Sequence, residues 1–87
     1  MLNFGQVFED RAVEELAAWH NGRDDLERMV VIVRRNLSSG SCEVQVSTAE
    51  GPKLQELLTE ANAFALATQI RKTAKGRWER VNMSAQT

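Results

Sequence analysis

The residue types that carry most enzyme chemistry are sparse in this chain. His20 is the sole histidine and Cys42 the sole cysteine. A histidine base needs an orienting partner and a nucleophile within hydrogen-bond reach. Asp24, Asp25 or a serine could approach His20, but no spacing requires it. The simplest reading of His20 is a favourable charge at the end of a helix. Cys42 falls on the apolar side of an alternating run, which suits a small buried hydrophobe better than a nucleophile. One His and one Cys, 22 positions apart, cannot close a zinc site within the chain. Asp24-Asp25-Glu27 lacks the alternation and turn glycine of a calcium loop, and reads as a solvated acidic loop. Gly22, Gly40, Gly51 and Gly76 stand singly, one per connection, so there is no glycine-rich phosphate cradle. The expectation is a non-enzymatic chain with neither metal nor cofactor.

Charge is the positive clue. The net charge is −1, but it is unevenly placed. Residues 1–30 carry seven acids against three arginines, and residues 61–87 carry Arg71, Lys72, Lys75, Arg77 and Arg80 against Glu79 alone. Trp78 lies among those cations. Cations interleaved with an aromatic suit a phosphate backbone and a stacked base. They equally suit a protein interface, where Trp and Arg are enriched. The pI of about 5.8 is low for a duplex-binding domain, for which values above ~9 are usual. Cations in the last turn of a helix also complement its negative end.

The elements that would hold these residues follow from periodicity. Asn3 and Gln6 have capping-box spacing, and Phe4, Phe8, Ala12, Leu16 and Trp19 recur at three- and four-residue steps. This predicts an amphipathic helix of about four turns, stopped at Asn21-Gly22. Met29-Val30-Val31-Ile32-Val33 is β-branched and predicts a strand. The run from Asn36 to Ser41 is turn chemistry, and Cys42, Val44 and Val46 then alternate with polar residues. Together they predict an antiparallel hairpin. Pro52 suits a first helical position, and Leu54, Leu57, Leu58, Ala61, Phe64 and Ala65 follow at helical spacing. The stretch at 61–67 is apolar or small almost all round, which predicts burial on more than one side. Residues 77–83 offer a third strand or a packed tail.

The sequence therefore predicts one α+β domain over residues 1–87, in the order α-β-β-α, with an antiparallel hairpin packed against two helices. No run approaches the ~18 apolar residues of a membrane span. The first residues do not resemble a signal peptide, and a lone cysteine fits a reducing cytoplasm. The expected function is that of a small regulatory or accessory protein, such as phages and bacteria use, acting as an adaptor or inhibitor that occludes a partner protein. The partner-binding residues expected are Arg71, Lys72, Lys75, Arg77, Trp78 and Arg80. Self-association as a homodimer is expected through Phe64, Leu66 and Ile70. The alternative is a nucleic-acid-binding regulator using the same basic residues.

Overall fold

The computed structural model describes residues 12–74 and 76–82. Among them are five strands and a single helix, in the order β1 (Val13–His20), β2 (Met29–Asn36), β3 (Cys42–Thr48), β4 (Gly51–Leu57), α1 (Glu60–Thr73) and β5 (Glu79–Val81). The strands form one antiparallel sheet in the spatial order β4-β3-β2-β1-β5. The first four make a meander. Helix α1 then runs back over the sheet and delivers β5 to the far side of β1.

This corrects the α-β-β-α expectation in two places. The hairpin of residues 29–48 is present, but as the middle of a five-stranded sheet. The described part of the first predicted helix is strand β1; Phe4 and Phe8 lie outside the described residues. A β-bulge explains the misleading spacing. The register of β1 on β2 runs Glu14↔Arg35 and Glu15↔Arg34, then skips to Ala17↔Val33. One extra residue at Leu16 turns a step of two into a step of three, so Glu14, Ala17 and Trp19 share a face. In sequence, such a step is indistinguishable from part of a helical turn. Pairing with β2 and β5 then overrides the helix propensity of Glu-Leu-Ala-Ala.

The second correction concerns residues 51–57, expected to open a helix at Pro52 and found as strand β4. The helix begins after Thr59, whose backbone is extended (φ −131°, ψ 157°) and whose Oγ1 accepts the Asn62 amide at 3.1 Å. That is an N-cap. Residues 77–83, offered as a third strand or a packed tail, do supply a strand, on the far side of β1 from the hairpin partner. Glu79–Val81 form β5, which pairs with β1 through Ala18↔Val81, Trp19↔Arg80 and His20↔Glu79. His20 accordingly ends a strand rather than a helix.

The core lies between α1 and one sheet face. Ala17 and Trp19 of β1, Val31 and Val33 of β2, and Cys42 and Val44 of β3 meet Ala63 and Ala67 of the helix, both fully buried. Alanines let the helix backbone come close to the sheet. Phe64 packs edge-on to Trp19, with ring centroids 6.1 Å apart. The 61–67 stretch is not buried all round, because Ala61 and Ala65 are exposed.

One buried polar side chain ties the loops together. Asn21 is 1% exposed. Its Oδ1 accepts the amides of Met29 (3.0 Å) and Arg23 (3.2 Å), and its Nδ2 donates to the Glu27 carbonyl at 2.8 Å. Its own carbonyl accepts the Arg77 amide at 3.0 Å, which joins the β1–β2 loop to the approach of β5. Gly76 (φ +139°) packs so closely here that a Cβ would lie 2.6 Å from the Asn21 carbonyl oxygen.

Candidate functional site

The predicted basic surface is divided by the fold. Arg71, in the last turn of α1, places its guanidinium carbon 4.0 Å from the centre of the Trp19 ring, and Arg80 of β5 places its own at 5.5 Å. Trp19 is 9% exposed, so this pair encloses a core aromatic. Arg71 Nη2 donates to Thr68 Oγ1 at 3.2 Å, and Arg80 Nη2 to the Leu16 carbonyl at the bulge, also at 3.2 Å. Lys72 and Arg77 are exposed. Lys75 lies outside the described residues. Trp78 is half-buried against the core, and its Nε1 donates to the Ala74 carbonyl at 3.3 Å. Its indole closes the end of the helix. Among the described residues expected to bind a partner, Lys72 and Arg77 present side chains that no other described residue engages by hydrogen bond or ion pair.

His20 and the acidic loop are likewise occupied locally. His20 Nδ1 accepts the Gly22 amide at 2.8 Å. Arg23 bonds Asp25, and the Glu27 amide donates to the same carboxylate at 3.0 Å. The Arg23 side chain, and then the Glu27 amide, hold the Asp25 carboxyl at about 2, below the usual carboxylate range. Among the described residues no three His, Cys, Asp or Glu side chains cluster as metal ligands. No helix among them is long and apolar enough to cross a membrane.

The residues expected to self-associate separate as well. Phe64 belongs to the core, while Leu66 and Ile70 turn toward β4. With Val44, Val46, Lys53, Leu54 and Gln55 they line an apolar groove of about 290 Å³ between α1 and the edge of the sheet. That volume is at the floor of small-molecule sites, roughly 300–1,000 Å³, and the groove is open along one side. Its dimensions suit side chains of a chain lying alongside.

Beside the groove runs a strand edge that no described residue pairs with. β4 is the outermost strand on this side, and residues 52–56 are exposed. Its backbone alternates in direction. The two-residue connection Ala49-Glu50 brings Thr48 opposite Gly51, and the register then pairs Ser47 with Pro52, Val46 with Lys53 and Val44 with Gln55. Pro52 has no donor, so it occupies a position whose amide side faces away from β3. By period two, the amides and carbonyls of Leu54 and Glu56 also face outward, whereas those of Lys53 and Gln55 bond to β3. Neither Leu54 nor Glu56 has a hydrogen bond on that side from any described residue. The arrangement is a row of unmet backbone groups flanked by an apolar groove whose far wall is a helix.

A larger cavity, about 480 Å³, lies on the opposite sheet face among Val13, Glu15, Val30, Ile32, Arg34, Gln45 and Ser47. Its polar groups are committed to one another. Arg34 Nη1 donates to Gln45 Oε1 at 2.7 Å and lies 3.7 Å from Glu43, and Gln45 Nε2 donates to Ser47 Oγ at 3.0 Å. The β4 edge has no such internal satisfaction and is the better site.

Reading residues 51–57 as helix hid this edge. One signal was available: after a strand ending at Thr48, the connection Ala49-Glu50-Gly51 is hairpin chemistry, and Pro52 is as acceptable on an edge strand as at a helix start. No family model, curated protein or solved structure matches this chain.

Proposed function

We propose that the protein is a non-catalytic protein-binding module that takes an extended segment of a partner protein as a sixth strand along β4. Main-chain hydrogen bonds at Leu54 and Glu56 would supply affinity, and the groove under Leu66 and Ile70 would receive alternate side chains. Capture would occlude that segment from other contacts, which is how a small adaptor or inhibitor acts. The observation that carries the reading is the juxtaposition of outward backbone groups on β4 with an apolar groove that α1 leaves open. Other edge features fit a selective dock rather than an aggregation template. Pro52, Lys53 and Glu56 guard β4 against indiscriminate pairing.

A panel of extended, β-branched peptides titrated into isotope-labelled protein tests this. Binding at the edge shifts the Leu54 and Glu56 amide resonances and slows their hydrogen exchange. Leu54→Pro removes one outward donor and abolishes both effects. Binding that survives Leu54→Pro, or that maps to the Arg77–Lys72 surface instead, refutes strand addition.

A further inference from the structure

Lys53 is the one charged side chain in the groove. The walls around it are Val44, Val46, Leu66 and Ile70, with neutral Gln55 beside it. Its side chain shares the helix-facing side of the sheet with its register partner Val46. Arg23, Arg34 and Arg35 each have a carboxylate within ion-pairing distance: Asp25, Glu43, and Glu14 with Glu60, respectively. Lys53 has none among the described residues. A lone cation against a low-dielectric apolar wall sets up a local positive field at the position a docked strand would occupy.

We infer that the segment captured along β4 carries an acidic side chain opposite Lys53, preceded by two apolar residues, and is not the β4 strand of a second copy. The inference rests on strand addition at β4 and adds the chemistry of the partner. In an antiparallel addition, Leu54 and Glu56 form the hydrogen-bonded pairs, and Lys53 and Gln55 face their partners across non-hydrogen-bonded pairs. There the side chains come closest, with Cβ atoms about 4.5–5.5 Å apart. A carboxylate opposite Lys53 is therefore within reach of its ammonium. The residue opposite Gln55 falls on the same face, over Leu66 and Ile70, and must be apolar. The one between them falls on the other face beside Leu54, half exposed and aliphatic, and is best apolar too. Read from N- to C-terminus, the antiparallel segment is apolar–apolar–acidic.

Parity excludes the self-complement. Two β4 strands related by a two-fold axis perpendicular to the sheet keep their grooves on the same side, so each residue meets one of the same facing. Opposite Lys53 would then stand Gly51, Lys53, Gln55 or Leu57 of the second copy. The strand's single acid, Glu56, faces the other way, and its carboxylate accepts from Ser41 Oγ at 2.7 Å. No register brings a carboxylate to Lys53, and one register opposes two lysines.

Three synthetic peptides that differ at one position test the inference: an extended peptide centred on Val-Ile-Glu, and the same peptide with Gln or Lys replacing Glu. Binding is read by fluorescence anisotropy at low salt, with amide shifts locating the site. The Glu peptide should bind about threefold tighter than the Gln peptide, as a partly exposed ion pair allows, and tighter still than the Lys peptide. Lys53→Glu should reverse the order of the Glu and Lys peptides. Lys53 is exposed and the variant's thermal melt should match the parent, so the reversal would not reflect misfolding. Equal binding of all three, with shifts at Leu54 and Glu56, overturns the acidic preference and leaves strand addition standing. No shift at β4 with any peptide removes strand addition itself. Dimeric protein with those amides already protected by a second β4 overturns the exclusion of β4–β4 pairing.

Discussion

Replacing Leu54 and Gln55 by proline, one at a time, tests whether β4 presents the backbone face on which the functional reading depends. The two residues are neighbours on one strand, yet their amides point in opposite directions. Gln55 pairs with Val44, which is 1% exposed. Gln55→Pro removes a ladder bond and leaves the buried Val44 carbonyl without its donor, a combined cost of about 3 kcal/mol. Leu54→Pro removes an amide that bonds to no described residue. Its cost is the half of the Leu54 side chain that is buried, about 1 kcal/mol; the residue is 50% exposed. With a urea slope near ~1 kcal/mol/M for so small a domain, the two midpoints should differ by about 2 M. Urea denaturation followed by the fluorescence of Trp19 and Trp78 measures both, and native-state hydrogen exchange gives an independent check. The Leu54 and Glu56 amides should exchange freely while those of Lys53 and Gln55 are protected. If Leu54→Pro costs as much as Gln55→Pro, or if Leu54 is the protected amide, the phase of the strand is inverted and the docking edge is misplaced.

Asn21→Ala should destabilise by about 2–3 kcal/mol, because the amides of Met29 and Arg23 lose their shared acceptor; urea denaturation checks it. Gly76→Ala should cost at least ~2 kcal/mol, since its Cβ would meet the Asn21 carbonyl and the φ of +139° disfavours any side chain. Asp25 has a lowered folded-state value of about 2, so its contribution to stability is present above the ordinary carboxylate range and is lost as pH falls toward about 2. Asp25→Asn should flatten that part of the acid limb of stability against pH, measured by thermal melts across the range. Generic DNA and RNA should show no binding near ~50 mM salt. Binding that weakens with salt, and that Lys72→Ala with Arg77→Ala blunts, would favour the nucleic-acid reading instead.

Residues 29–47 were legible because local and global preferences agree there. A β-branched run, a Ser/Gly turn and a clean alternation leave the backbone one sensible conformation. The scarcity of chemistry-bearing side chains was equally legible, being a matter of composition. The fates of residues 13–20 and 51–58 were not, because their apolar residues recur in steps of three as well as two. In β1 that step comes from the bulge at Leu16, which exists only through pairing with β2. In β4, Leu54, Leu57 and Leu58 trace a helical stripe, yet Leu54 and Leu58 remain exposed and only Leu57 packs against the core. Seven cross-strand pairs with β3 outweigh that stripe.

The candidate site followed the same division. From the sequence, Phe64, Leu66 and Ile70 were expected to self-associate; the structure packs Phe64 on Trp19 and lines a groove with Leu66 and Ile70. Lys53, Leu54 and Glu56 were missed, because their role depends on which way a backbone amide points on an outer strand. The basic residues were visible as a cluster in sequence, but the fold commits Arg71 and Arg80 to Trp19 and Trp78 to the end of α1. Composition and strongly alternating segments thus fixed a β-hairpin and a chain with one histidine and one cysteine. Long-range pairing alone decided the five-stranded sheet, its β4 edge and the groove beside it, because local propensity is worth tenths of a kcal/mol per residue and a completed ladder over a packed core is worth more.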